Sequence, residues 1–115
     1  MLSKIILVIL AILVLAVLYL RFSAVRVSGS DARAMVADGA LLLDVRSEGE
    51  YTDGGIEGSI NIPIQALVGR MDELGDKDRE IVVYCQSGGR SAMAKRLLET
   101  NGFSEVHDLG SIGKW

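Results

Sequence analysis

The 115 residues include 12 Lys plus Arg and 15 Asp plus Glu, giving a formal net charge of −3, with one cysteine and one histidine. Such a chain has room for one domain once a long apolar segment at its start is set aside, and its acidic balance argues against nucleic-acid binding. A lone cysteine excludes an intrachain disulfide and agrees with a cytosolic setting, and a single Cys with a single His disfavours a metal site.

Sixteen consecutive apolar residues run from Ile5 to Leu20. As a helix they span about 24 Å, and Leu2 and Phe22 extend them toward the roughly 30 Å of a hydrocarbon core. Lys4 and Arg21 flank the run, where long basic side chains reach lipid headgroups. Residues 1–22 therefore read as one transmembrane helix. A secretory signal peptide is the competing account. However, Phe22-Ser23-Ala24 offers a bulky residue where a cleavage site wants a small one, and Val27-Ser28-Gly29 lies far from the apolar run, so an uncleaved single-pass anchor is expected. A buried core helix fits less well, because nothing else in the chain covers an all-round apolar surface. Arg21, Arg26 and Arg33 after the segment, against Lys4 and the amino terminus before it, favour a cytoplasmic domain.

Residues 23–29 read as a short linker and residues 30–115 as the soluble domain. From Val27 onward fifteen acidic residues face nine basic ones, a formal charge of −6 for this part. Ser30 is placed to cap a helix over Asp31 to Asp38, with Ala32, Met35 and Val36 on one side and Gly39 as terminator. Leu41-Leu42-Leu43-Asp44-Val45 has the continuous apolar run of a strand covered on both faces. Ser47-Glu48-Gly49-Glu50 has capping-box spacing for a second short helix, closed by Asp53-Gly54-Gly55.

Ser59 to Pro63 reads as a short strand whose proline argues against a central place in the sheet. Ile64 to Leu74 carries Ile64, Leu67, Val68, Met71 and Leu74 at helical spacing, with Gly75 after it. Ile81 to Tyr84 is a second buried strand, Ser91 to Thr100 a helix stopped by Asn101-Gly102, and Ser104 to Leu109 a last strand. Strands alternating with helices imply an α/β fold with a parallel sheet flanked by helices. Reactive groups in such sheets gather at the carboxyl ends of strands.

Cys85 falls at such an end, opening Cys85-Gln86-Ser87-Gly88-Gly89-Arg90-Ser91 between a buried strand and a helix. Free cysteine is most often a small buried apolar side chain. A core filler, however, needs no Gly-Gly turn, no adjacent arginine and no helix start aimed at its sulfur. Unpaired N–H groups at a helix N-terminus favour an anion, so they stabilise a thiolate. Cys85 is therefore the candidate nucleophile.

Three segments together resemble the rhodanese domain, a single-domain sulfurtransferase module, from about Ser28 to Trp115. They are Leu43-Asp44-Val45-Arg46-Ser47-Glu48-Gly49-Glu50-Tyr51, Gly55-Ile56-Glu57-Gly58-Ser59-Ile60-Asn61-Ile62-Pro63, and the loop Cys85 to Ser91. Gly55, Glu57 and Ser111 depart from the histidine, proline and glycine usual in the family. The resemblance implies a rhodanese-like fold behind one transmembrane helix. It also implies that Cys85 attacks the outer sulfur of a donor such as thiosulfate, becomes a persulfide, and hands that sulfur to a thiol or cyanide acceptor, a protein acceptor included.

In that reading the N–H groups of Gln86, Ser87, Gly88, Gly89, Arg90 and Ser91 form a cradle for the anionic sulfur, and the Arg90 guanidinium binds the donor's sulfonate. No cofactor is implied. The six residues from Cys85 to Arg90 have the length the resemblance associates with sulfur transfer. Phosphatase relatives use one more and commonly place His where Tyr84 stands. A membrane-tethered sulfur-carrier or protein-docking module with little turnover of its own is the alternative. His107 reads as a strand-end or surface residue, Asp44 as a structural hydrogen-bonding residue, and Arg46 with Glu50 as a local i,i+4 ion pair.

Overall fold

A computed structural model describes residues 1–23 and 25–115; the side chains of residues 20–24 lie outside the description. The flanking Arg21, the extending Phe22, the cleavage candidate Phe22-Ser23-Ala24 and the start of the expected linker fall on those residues. Helix α1 (Leu2–Ser23) is the apolar segment. Over Leu2–Tyr19 it is long and apolar enough to cross a membrane by length and composition, a description that a signal sequence near the N-terminus also meets. Its large apolar side chains from Leu2 to Tyr19 are exposed, so the domain provides no cover for them.

Helix α2 (Gly29–Ala37) starts two residues earlier than the sequence suggests, because Ser28 rather than Ser30 accepts the Asp31 N–H at 3.1 Å. Gly29 can enter this first turn because its Cα lies against the Lys114 carbonyl, where a Cβ would come within 1.9 Å of the oxygen. Strand β1 (Leu41–Asp44) follows. Helix α3 (Glu48–Gly54) carries the expected capping box, Ser47 and Glu50 each bonding the other's backbone N–H.

Strand β2 (Ile60–Asn61) lies at the sheet edge, as Pro63 beside it requires. The stretch read as one helix over Ile64 to Leu74 is instead two 3-10 turns, Ile64–Ala66 and Val68–Leu74, with Arg70 kinked out of helical geometry at φ −125° and ψ 18°. The kink breaks the 3.6-residue face. Leu67, Met71 and Leu74 stay buried, while Val68 turns outward with 58% of its surface exposed.

Strands β3 (Ile81–Cys85) and β4 (Val106–Ser111) and helix α4 (Gly89–Thr100) complete the domain. All strand pairings are parallel, in the order β2-β1-β3-β4. The fold is rhodanese-like α/β. Side chains alternate across the pleat, so Leu41, Leu43, Val45, Ile81, Val83 and Cys85 face the 3-10 turns and α4. Leu42, Val82, Tyr84 and Leu109 face α2 and the C-terminal turn on the other side. The two residues at the end of β3 thereby part company, with Tyr84 on one face and Cys85 on the other, under the N-terminus of α4.

The end of β1 is fixed by a buried ion pair. Asp44 accepts from the Arg46 backbone N–H at 2.8 Å and from Nε and Nη2 of the same side chain, with both side chains almost wholly excluded from water. Asn61 Nδ2 donates to the Asp44 and Arg46 carbonyls, tying β2 to the same corner. Removing one member of such a pair leaves the other charge buried without compensation. Asp44→Ala in the full chain is expected to lower the unfolding free energy by about 3 kcal/mol or more, read as a shift of the urea midpoint.

Candidate active site

Helix α4 has no side-chain cap, and its N-cap is Gly88 in the left-handed region at φ 107°. Orphan N–H groups at a helix start need an acceptor, and the Cys85 sulfur supplies it. Gly88 N–H donates to Cys85 Sγ at 2.9 Å, and Ser91 Oγ lies 3.5 Å from the same atom. Ser91 Oγ is also 3.1 Å from the Gly88 carbonyl. A hydroxyl has one proton, so the two contacts alternate. With a neutral thiol, S–H donates to Ser91 and Ser91 donates to Gly88. With a thiolate, the Ser91 hydroxyl turns to the sulfur.

Burial is the largest single influence on the thiol and pushes its pKa up. The Ser91 hydroxyl and the backbone N–H groups of Ser91, Gly88 and Ser87 together outweigh it, so the net shift is downward. Ser87, Gly88 and Ser91, three of the six residues of the expected cradle, thus bear on the sulfur here. Cys85 has no exposed surface.

Arg90 sits in the first turn of α4, where a cation opposes the helix dipole. Glu50 answers it. Its carboxylate accepts from Arg90 Nη1 at 2.6 Å and Nη2 at 3.0 Å, and the Arg90 guanidinium with the Ser47 N–H lowers the carboxyl pKa to about 2. This overturns the expected Arg46–Glu50 pair: Glu50 reaches across to Arg90, and Arg46 turns to Asp44. Arg46 Nη1 meanwhile donates to Gln86 Oε1 at 3.0 Å. Ser111 Oγ donates to the Gln86 carbonyl at 2.9 Å, so the residue that departs from the family's glycine fastens the loop. Arg46, Glu50, Asp53, Gly54, Gln86 and Ile112 line an open cavity of about 350 Å³ beside the loop.

Gly55, the position of the family's histidine, packs against Tyr51; a Cβ there would come within 2.5 Å of the ring. Tyr84 is fully buried, with its hydroxyl taking the Ile56 N–H at 3.0 Å and lying 3.2 Å from Ser59 Oγ. It supports the second segment from below the sheet and does not face the sulfur. His107 is on β4, paired in register with Val82, and lies 3.8 Å from Glu105. With Glu80 and Glu105 it forms the acidic cluster at the amino ends of β3 and β4, a strand's length from Cys85.

The sequence of residues 28–115 matches the rhodanese-like domain family. The chain belongs to the rhodanese-like family. It is 39% identical over 77 residues to YqhL of Bacillus subtilis, covering 66% of this chain and 60% of that protein. It is 38% identical over 76 residues to a sulfurtransferase of Allochromatium vinosum, covering 65% and 70%. Among solved structures, the human single-domain sulfurtransferase TSTD1 superposes with a TM-score of 0.69 at 28% identity, covering 78% of this chain and 93% of the human one. Relatives also include the thiosulfate sulfurtransferase PspE of Escherichia coli, 32% identical over 71 residues and covering 61% of this chain and 68% of that protein.

In this rhodanese-like domain the thiolate depends on Ser91 for its side-chain hydrogen bond. Ser91→Ala is expected to raise the pH midpoint of Cys85 alkylation by iodoacetamide and to slow the reaction at neutral pH. A lowered thiol pKa means that the thiolate dominates from a lower pH, so losing the hydroxyl moves the curve toward alkaline pH. Because the chain has one cysteine, mass spectrometry of the alkylated protein reads this site alone.

Proposed function

We propose that the protein is a sulfurtransferase that moves a sulfane sulfur from thiosulfate or a persulfide donor to a thiol or cyanide acceptor through a persulfide on Cys85. The Gly88 N–H aimed at Sγ from 2.9 Å is the observation that carries this reading, because a packing cysteine needs no such donor. The Cys85 thiolate attacks the outer sulfur of thiosulfate. The new S–S bond forms as the sulfur–sulfonate bond breaks, and sulfite departs with the electron pair. An acceptor thiolate or cyanide then attacks the terminal sulfur, and Cys85 leaves as thiolate. No general base is required when Cys85 is already ionised, and no outside oxidant or reductant enters.

Gln86, Ser87 and Gly89 are the exposed part of the loop that an incoming donor meets first, and Gly88 and Ser91 are its buried floor. Arg90 binds the sulfonate through its planar donors once Glu50 yields them. The tie to Glu50 also favours a second reading, a sulfur carrier loaded by a protein donor, since an arginine already neutralised attracts a small dianion weakly. Thiosulfate treatment is expected to add the mass of one sulfur to the wild-type chain and nothing to Cys85→Ala; no adduct from thiosulfate or from an alkyl persulfide sinks the sulfurtransferase reading. In the same assay Arg90→Ala raises the KM for thiosulfate more than it slows loading from a neutral persulfide.

Residues 1–22 act as a single-pass anchor that keeps a catalytic domain of residues 30–115 at the membrane surface, on the cytoplasmic side, with residues 23–29 between them. The apolar length of α1 and its lack of cover by the domain support this reading. Expressed in cells, the full chain should remain with membranes through an alkaline carbonate wash, and a C-terminal tag should resist protease until the cytoplasm is opened. Release of a shortened chain into the soluble fraction would instead mark α1 as a cleaved signal.

A further inference from the structure

Arg26 stands outside the family match, three residues after α1 ends, and its side chain reaches the catalytic loop. Nη2 donates to the Gly88 carbonyl at 3.3 Å, and Nε lies 3.5 Å from Asp108 Oδ2. The guanidinium rests in a notch made by two glycines at positive φ, Gly88 at 107° and Gly110 at 84°. A Cβ on Gly88 would come within 2.7 Å of Nη2, and one on Gly110 within 3.2 Å of Nε. Gly110 owes its conformation to an irregularity of register, where Val83 pairs with Asp108 but Tyr84 pairs with Gly110. The buried Asp108 carboxylate spends Oδ1 on the Gly110 N–H at 2.8 Å, leaving Oδ2 for Arg26, and its carbonyl takes the Val27 N–H at 2.9 Å.

Gly88 joins this cluster to the sulfur. Its N–H donates to Sγ, and its carbonyl accepts from Arg26, from the Ser91 hydroxyl and from Ala92 N–H at 3.2 Å. A carbonyl has two lone pairs. When Ser91 turns to a thiolate, Arg26 and Ala92 remain as the two donors that hold this peptide in place. We propose that Arg26 is a positioning residue of the sulfur cradle, tying the segment that leaves α1 to Gly88 and holding that glycine where its N–H meets Sγ. The inference rests on Cys85 being the working thiol.

The charged groups around the sulfur are Arg90 with Glu50 on the α4 side, Arg46 with Asp44 beyond β1, and Arg26 with Asp108 behind Gly88. Only the last pair touches the Gly88 carbonyl. The test is the pH midpoint of Cys85 alkylation by iodoacetamide in the full chain held in detergent. Arg26→Ala is expected to move the midpoint up by roughly half a pH unit or more, and Arg26→Lys to recover part of the shift through its charge and single reach. A midpoint unchanged in Arg26→Ala overturns the proposal. If that variant fails to fold, the shorter, uncharged but polar Arg26→Gln carries the same expectation and the same refutation. Alkylation needs no sulfur donor, so a protein that never forms a persulfide refutes the proposed function while this measurement still reads the role of Arg26.

Discussion

The start of α4 lacks a capping side chain, and a helix end left so is stable only if some other acceptor meets its N–H groups. The Cys85 sulfur is that acceptor, and the rest of the domain serves to deliver it. A parallel sheet covered on both faces fixes the pleat, and the pleat decides which of two adjacent side chains points at the helix. Because Tyr84 takes the α2 face, Cys85 takes the α4 face. Shifting the register of β3 by one residue would exchange them and leave the helix start facing a phenol.

Around this contact the charges are arranged in pairs that keep the loop close to neutral. Arg90 in the first turn of α4 would work against the dipole if it stood alone, and Glu50 removes that cost while anchoring α3 to α4. Asp44 does the same for Arg46, whose remaining donor steadies Gln86. Since the Glu50 carboxyl ionises at about 2, its pairing with Arg90 holds at every pH where a thiolate is useful. Titration of Glu50 therefore does not release the tie between α3 and α4.

The features that the sequence made legible are local. The strand–loop–helix run at Cys85, the capping box of Ser47 with Glu50, and the edge position beside Pro63 each depend on residues within a few positions of one another. What escaped sequence reasoning is long-range or cumulative. Arg90 and Glu50 are 40 positions apart, Arg26 and Gly88 62, and Ser111 and Gln86 25, and nothing in their spacing marks them as partners. Glu50 was legible as a cap, but as a counterion its spacing pointed to Arg46, whereas the partner it takes is Arg90 on another element. The 64–74 stretch had the period of an α-helix, yet Arg70 leaves helical geometry and the chain turns in two tighter pieces, so Val68 loses the core place its spacing promised.

The same geometry bears on the sulfur chemistry proposed for the loop. A persulfide adds one atom about 2 Å beyond Sγ, and that atom must leave the buried floor where Sγ now sits. Six residues from Cys85 to Arg90 close the loop tightly enough that three donors, on Ser87, Gly88 and Ser91, converge on a single sulfur. The burial that pushes the thiol pKa up and the donors that bring it down are thus two sides of one constraint, a small closed cradle around Sγ.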